Sequence, residues 1–273
     1  MIIDAHQHFW QLARGDYGWL TPELGPLYRD FMPDDLVPLI AQANVAGTVL
    51  VQAAPTVAET KFLLEIADTT SFVLGVVGWT DFTAPTAAKD IARLAQHPKL
   101  VGLRPMIQDI ADDDWMLRAD LTPAFDAMID ADLTFDALVL PRHLPRLHKL
   151  LSRHPNLRTV IDHGAKPDIS GGQFEGWAKD IALLAEETNA SCKLSGLLTE
   201  AGDDWTTSDL VPYVSLLFDH FGAQRLIWGS DWPVLTIAAN YGTWIEVASS
   251  LISGEPAREA IFGSNAVAAY NLS

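Results

Sequence analysis

Eight short apolar runs, amphipathic stretches between them and a run-to-run spacing of about 25 to 45 residues predict an α/β chain folded as a (β/α)8 TIM barrel. The runs are rich in Val, Ile and Leu at consecutive positions, the pattern of parallel strands buried on both faces. A doubly wound open sheet is the rival, but it usually opens on a glycine-rich turn, and the chain has no GxGxxG. No linker, composition shift, repeat or low-complexity tract interrupts residues 1–273, which are therefore read as one domain.

The first strand is read in IIDAHQH (2–8). Alternation along a strand would put Asp4, His6 and His8 on one face and Ile3, Ala5 and Gln7 on the other. Three ionisable groups on one face of a buried strand are costly unless they do chemistry, the alternative being core histidines whose hydrogen bonds are satisfied. QLARGDYGWLTPELGPLYRDFMP (11–33) lacks periodicity, and a loop of that length is usually functional. Here it would lie over the C-terminal mouth of the barrel. A helix in PDDLVPLIAQA (33–43) leads to a strand in GTVLVQAA (47–54), and a helix in ETKFLLEIAD (59–68) to a strand in FVLGVVGW (72–79). The helix in APTAAKDIARLAQH (84–97) stops at Pro98, before the strand LVGLRPM (100–106). The acidic run inside DIADDDWMLRAD (109–120) reads as a solvated loop face, with Trp115 and Arg118 within reach of the mouth. Thr122 is expected as an N-cap and Pro123 as the first helical residue of LTPAFDAMIDA (121–131). A strand in LTFDALVL (133–140) and a helix in LPRLHKLLSRH (144–154), stopped by Pro155, come next. The last strands are RTVIDH (158–163), ASCKLSG (190–196) and RLIWGSD (225–231). Between the last two, SDLVPYVSLLFDHFG (208–222) is a helix with Ser208 as cap and Gly222 as stop.

Composition narrows the function. Hydrophobic residues make up 49% and charged ones 19%, enough for a sizeable core. A formal net charge of −17 argues against nucleic acid, whose phosphates need a basic surface. The single cysteine, Cys192, excludes an intramolecular disulfide and fits a reducing compartment. No export signal or apolar run of about 18 residues is seen, so a cytoplasmic protein away from membranes is expected.

Barrel active sites stand at the C-terminal ends of the strands. There the chain offers His6 and His8, Gln52, Trp79 and Asp81, Arg104, His163 with Lys166, Lys193 and Ser195, and Asp231 with Trp232. Three histidines and an aspartate from strands 1, 6 and 8 would converge on one small volume. Imidazole and carboxylate are common zinc ligands; without metal the same groups can polarise a carbonyl and draw a proton from water. Asp231 is the best candidate for the base, a cap for the loop after strand 8 being its structural alternative. Trp10, Trp19, Trp79 and Trp232 offer aromatic faces to a sugar ring, or else simply pack. Lys193 is read either as a substrate contact or as a partner of Asp231, and Lys166 is similarly ambiguous. Asp4 is expected to support the histidines.

HQH after strand 1, DHGAKP at strand 6, CKLSGL at strand 7 and GSDWP at strand 8 resemble the amidohydrolase superfamily, in particular its sugar lactonases for L-fuconolactone and L-rhamnonolactone. The likeness extends through IIDAHQHFW, DYGWL, VQAAPTVAET, VVGWTD and FGSNAVAAYNL, nearly the whole chain. HxH alone is a weak signal; HxH, DHxxKP and GSDWP in order are a strong one. The resemblance implies that His6, His8, His163 and Asp231 form the catalytic set and hold a single divalent ion such as zinc, if one is used. Metal-free catalysis stays equally open. Two-metal members carry a bridging Lys or Glu on strand 4 and a histidine ending strand 5. This chain has Arg104 at the former, and its His143 falls beyond strand 5, where it is expected to pack at a helix start.

The expected reaction is hydrolysis of a sugar-acid lactone, with Arg104 and the histidines, or an ion they hold, polarising the carbonyl. Asp231 would act as general base, and Trp10, Trp79, Trp232, Gln52, Lys193 and Lys166 would contact substrate. Rivals are a metal-dependent decarboxylase of an aromatic or unsaturated acid, a hydrolase of dicarboxylic (pyrone- or muconolactone-type) lactones and a non-catalytic sugar-binding barrel. The partner is then a small molecule, with a homo-oligomer left open.

Overall fold

The computed structural model describes residues 1–273. Eight parallel strands stand in chain order: β1 (Ile2–Gln7), β2 (Val45–Val51), β3 (Val73–Gly78), β4 (Leu100–Leu103), β5 (Thr134–Ala137), β6 (Thr159–Ile161), β7 (Ser191–Leu194) and β8 (Leu226–Trp228). Just past β8 the ring closes on β1. The Asp231 amide donates to the His6 carbonyl at 2.8 Å and the His8 amide to that of Trp232 at 2.8 Å. The catalytic aspartate candidate and both β1 histidines therefore lie on the same seam.

Helices fill the outer layer: α1 (Pro33–Gln42), α2 (Val57–Thr69), α3 (Ala87–Leu94), α4 (Thr122–Asp130), α5 (Leu144–Arg153), α6 (Glu175–Glu187), α7 (Leu197–Ala201), α8 (Thr207–Phe221), α9 (Tyr241–Leu251), α10 (Glu255–Glu259) and α11 (Asn265–Tyr270). All six helices and all eight strands expected from the pattern are present; α6, α7 and α9 to α11 are additional. Two caps differ from expectation. Thr122 begins α4 without a capping bond, because the turn Ala119–Leu121 runs directly into the helix and leaves no extended residue to cap. For α8 the cap is Thr206 rather than Ser208: Asp209, three residues beyond Thr206, accepts from its amide at 2.7 Å and its hydroxyl at 2.8 Å.

The larger core lies between sheet and helices, and a smaller one fills the lower barrel. Ile3, Ala5, Val49, Val51, Val77, Val160 and Ile227, from five different strands, meet there with Ala266, Ala269 and Tyr270 of α11. Ile3 and Ala5 thus face inward, whereas Asp4 faces the helix layer, accepting from the hydroxyl of Tyr241 on α9 at 2.9 Å. Strict alternation would then send His6 outward. Instead the β1–β2 register shifts between Asp4 and Gln7. This irregularity turns His6 into the barrel among Arg104, Asp162 and Lys193. The expected common face for Asp4, His6 and His8 is corrected: Asp4 is on the other side, where it accepts from the His6 and Ser230 amides at 3.1 and 2.8 Å and ties β1 to the β8 turn.

Candidate active site

Three imidazoles and one carboxylate meet at the mouth. His6 Nε2 is 3.2 Å from His8 Nε2, and Asp231 Oδ1 is 3.6 Å from the former and 3.2 Å from the latter. His6, His163 and Asp231 each bring one ligand atom within 4.8 Å of the others, a cluster able to coordinate a metal ion. His8 joins it on the His6–Asp231 edge.

Nδ1 of each ring has a protein partner. His8 Nδ1 donates to the Val51 carbonyl at 2.8 Å, which leaves its Nε2 with a lone pair facing Asp231. His163 Nδ1 is 2.8 Å from Ser195 Oγ, and His6 Nδ1 lies 3.1 Å from Lys193 Nζ and 3.5 Å from Asp162 Oδ1. A lone pair on His8 against a carboxylate oxygen at 3.2 Å is a pair of acceptors in want of a cation between them. Separations of 3.2 to 3.6 Å are those of ligands that share one ion at bonds of about 2.0–2.2 Å. The donor set fits one divalent ion.

The backbone that presents these groups is strained. His163, Ala165 and Lys166 have φ of 54°, 62° and 51°, and Asp231 has 59°, all in the left-handed region that side chains with a Cβ avoid. Two glycines make room beside the rings. A Cβ on Gly196 would stand 2.6 Å from His163 Nδ1, and one on Gly229 would stand 2.7 Å from the His6 Cβ. The glycines of KLSG and WGSD are therefore spacers for the site.

Beneath the mouth lies a buried ionic network. Lys193 Nζ is 2.6 Å from Asp136 Oδ2 and 2.9 Å from Asp162 Oδ1, and Arg104 Nη1 is 3.1 Å from Asp162 Oδ2. The hydroxyl of Tyr270 donates to Asp136 at 2.9 Å. Burial, with Lys193 on one side, holds the His6 pKa well below its ordinary value, so the ring is neutral. Burial also lowers His163, to about 4. For Asp231 burial acts upward but is outweighed by the attraction of the facing imidazoles of His163, His8 and His6 when these carry a proton, which holds the carboxyl pKa well below the usual range.

A cavity of about 220 Å³ opens above the cluster, walled by His8, Trp19, Arg104, His163, Lys166 and Asp231 among others. It adjoins a second cavity of about 580 Å³, which shares Trp19, Met106 and Asp109 and adds Trp79, Asp81, Phe82 and Trp115. The long loop contributes Trp19, whose Nε1 donates to the Ala53 carbonyl at 2.7 Å.

Of the expected substrate contacts, Lys166 lines the first cavity and Trp79 the second. The other four line neither cavity. Lys193 is fully buried below His6, its ammonium taken by Asp136 and Asp162 rather than by Asp231. The Gln52 side chain donates to the Arg104 carbonyl at 2.7 Å and so supports that residue. Trp10 and Trp232 are packed out of reach, both against Phe31. His143 packs at the start of α5, 3.2 Å from Asp113, and Arg118 pairs with Asp120 on the surface. Asp136, Asp162, Glu59 and Tyr270 escaped the sequence reading. The signal for Asp136 was a charge in the middle of the apolar strand LTFDALVL, which demands a buried partner.

A family model described as amidohydrolase matches residues 3–272. The chain belongs to the amidohydrolase family. Among curated relatives it is 50% identical to L-fucono-1,5-lactonase of Burkholderia ambifaria, over 99% of this chain and 95% of that one. It is 37% identical to L-fucono-1,5-lactonase of Burkholderia multivorans, over 99% and 96%. A crystal structure of an amidohydrolase from Burkholderia multivorans with bound zinc superposes over 100% of both chains, with a TM-score of 0.94 and 34% identity.

Proposed function

We propose that this amidohydrolase opens a sugar-acid lactone of the L-fucono-1,5-lactone type to the aldonic acid. The observation that carries the reading is Asp231, ionised and 3.2 to 3.6 Å from two imidazoles on the floor of a cavity. Both curated relatives named above are L-fucono-1,5-lactonases, which supports the substrate class. The cavity, about 220 Å³, is below the usual range of about 300–1,000 Å³ for ligand sites and suits one small ring.

In this reading Asp231 Oδ1 takes a proton from the water that attacks the lactone carbonyl. The ring C–O bond then breaks, and the same proton passes to the departing ring oxygen, which becomes the hydroxyl of the open acid. Burial keeps competing water away from the carboxylate. Arg104 is anchored through both Nη atoms, to Asp162 and to the Gln52 carbonyl, and its Nε–H has no protein partner. Held this way it supplies fixed positive charge to the oxyanion that forms on the carbonyl oxygen. A divalent ion held by His6, His8, His163 and Asp231 would polarise that carbonyl and raise the acidity of the water. Trp19, and Trp79 beyond it, offer flat apolar faces to the C–H side of the ring.

The domain is read as residues 1–273 throughout, acting on a neutral small molecule in the cytoplasm. No helix is long and apolar enough to cross a membrane. The test is a panel of sugar lactones assayed by acid release with a pH indicator, with and without chelator. Hydrolysis of L-fucono-1,5-lactone is expected. Carbon dioxide release from an aromatic acid, with no lactone opened, would replace this reading with the decarboxylase.

A further inference from the structure

At the C-terminal end of β2, three successive residues each hold a different part of the site. The Val51 carbonyl accepts from His8 Nδ1 at 2.8 Å. The Gln52 carbonyl accepts from Arg104 Nη2, while the Gln52 side chain donates back to the Arg104 carbonyl at 2.7 Å. The Ala53 carbonyl accepts from Trp19 Nε1 at 2.7 Å. On the amide side, Ala53 donates to Glu59 Oε1 at 2.9 Å and Ala54 to Glu59 Oε2 at 2.8 Å. Glu59 is fully buried in the first turn of α2, and no lysine, arginine or histidine pairs with it. A buried carboxylate without an ion-pair partner is an expensive way to satisfy two amides.

We infer that Glu59 is a positioning residue: by clamping the Ala53 and Ala54 amides it fixes the backbone segment on which Arg104 and Trp19 of the long loop are seated. The long loop has a second tie to the same turn. Asp16 of the long loop accepts from Thr56 Oγ1 at 3.0 Å, and that oxygen caps α2 by accepting the Glu59 amide at 3.0 Å.

Opening the clamp to water returns the Glu59 carboxyl to its ordinary range, so ionisation of the buried group, which has no counter-ion, favours opening. Burial raises the Glu59 carboxyl to about 7, the two amides acting downward, Asp16 upward and Arg104 downward. Tyr17 from the same loop also faces it, and Arg14 offsets Asp16 at 2.8 Å. The seated state is therefore favoured below about pH 7 and loses ground as pH rises through that value.

This inference rests on the lactonase reading only in its kinetic arm. In the first arm, hydrogen–deuterium exchange, corrected for intrinsic rates, follows peptides covering residues 15–22 and 51–56 of the full chain at pH 6 and pH 8. Wild type is expected to protect both segments several-fold more at pH 6, and Glu59→Gln to lose that difference. In the second arm, Glu59→Gln lowers kcat/KM for L-fucono-1,5-lactone about 10–100-fold, and the wild-type limb near pH 7 disappears. Trp19→Phe, which removes the indole N–H together with part of the aromatic face, raises KM about 3–10-fold with kcat within twofold, and the wild-type exchange comparison decides alone should Glu59→Gln not fold. Unchanged exchange in both segments, or a folded Glu59→Gln with wild-type KM and pH profile, overturns the proposal. A wild type that opens no lactone but shows the pH-dependent exchange overturns the function and leaves Glu59 in its role.

Discussion

Replacing Lys193 by Met removes the central cation of the buried network while keeping most of the side-chain volume. Lys193 Nζ lies 2.6 Å from Asp136, 2.9 Å from Asp162 and 3.1 Å from His6 Nδ1, and all four side chains are wholly buried. Loss of one member of such a group costs about 3–5 kcal/mol, because the remaining charges are left uncompensated. For a chain of this length each kcal/mol lowers Tm by about 2 °C, so the variant should melt about 6–10 °C below wild type. The cost also depends on pH. Burial, partly offset by Lys193, pushes Asp136 up to about 6. A carboxyl raised in the folded state favours folding below its ordinary range, and that contribution disappears as pH rises through the folded value. Without Lys193 the folded value rises further, so the Tm gap should be wider at pH 8.5 than at pH 5.5. Thermal melts followed by circular dichroism at both pH values measure it. A Lys193→Met variant that melts within about 2 °C of wild type at pH 8.5 would show that the network does not hold the barrel together.

Other perturbations follow from the same geometry. Gly196→Ala puts a Cβ 2.6 Å from the His163 ring at a φ of +65°, and should cost about 1–3 kcal/mol and displace the imidazole, seen as a lower Tm together with lost activity. Arg104→Met should reduce kcat about 10²–10³-fold if the guanidinium stabilises the oxyanion, and initial rates across substrate concentration separate this from a change in KM. Metal analysis of protein loaded with zinc should give about one ion per chain for wild type and less for His163→Ala; two ions per chain would contradict the single site.

Much of this architecture was legible because a barrel strand buried on both faces leaves a continuous apolar run, and the turn after it ends on polar residues. HQH, DHGAKP and GSDWP fall at strand ends by pattern alone, and Asp231 does meet the β1 histidines across the closing seam. What pattern could not show was long-range pairing. Lys193 and Asp136 are 57 residues apart and Arg104 and Asp162 are 58 apart; sequence shows that each is a charge in an apolar setting, not which partner it meets. The register shift in β1 was invisible for a related reason. Nothing in IIDAHQ marks it, since it arises from how β1 pairs with β2. The tryptophans misled in the other direction: next to strand ends, a buried indole such as Trp10 and a cavity wall such as Trp79 look alike. Glu59 was hidden within an ordinary helix start, where an acidic residue three places after Thr56 is what a capping pattern would supply anyway.

The proposed hydrolysis turns on Asp231 as the group that moves the proton. Steady-state kinetics of Asp231→Asn on L-fucono-1,5-lactone, with the fold checked by circular dichroism, test it most directly. A fall in kcat of about 10³-fold or more is predicted, since Asn keeps the shape but not the basicity. A folded variant within tenfold of wild type would contradict it.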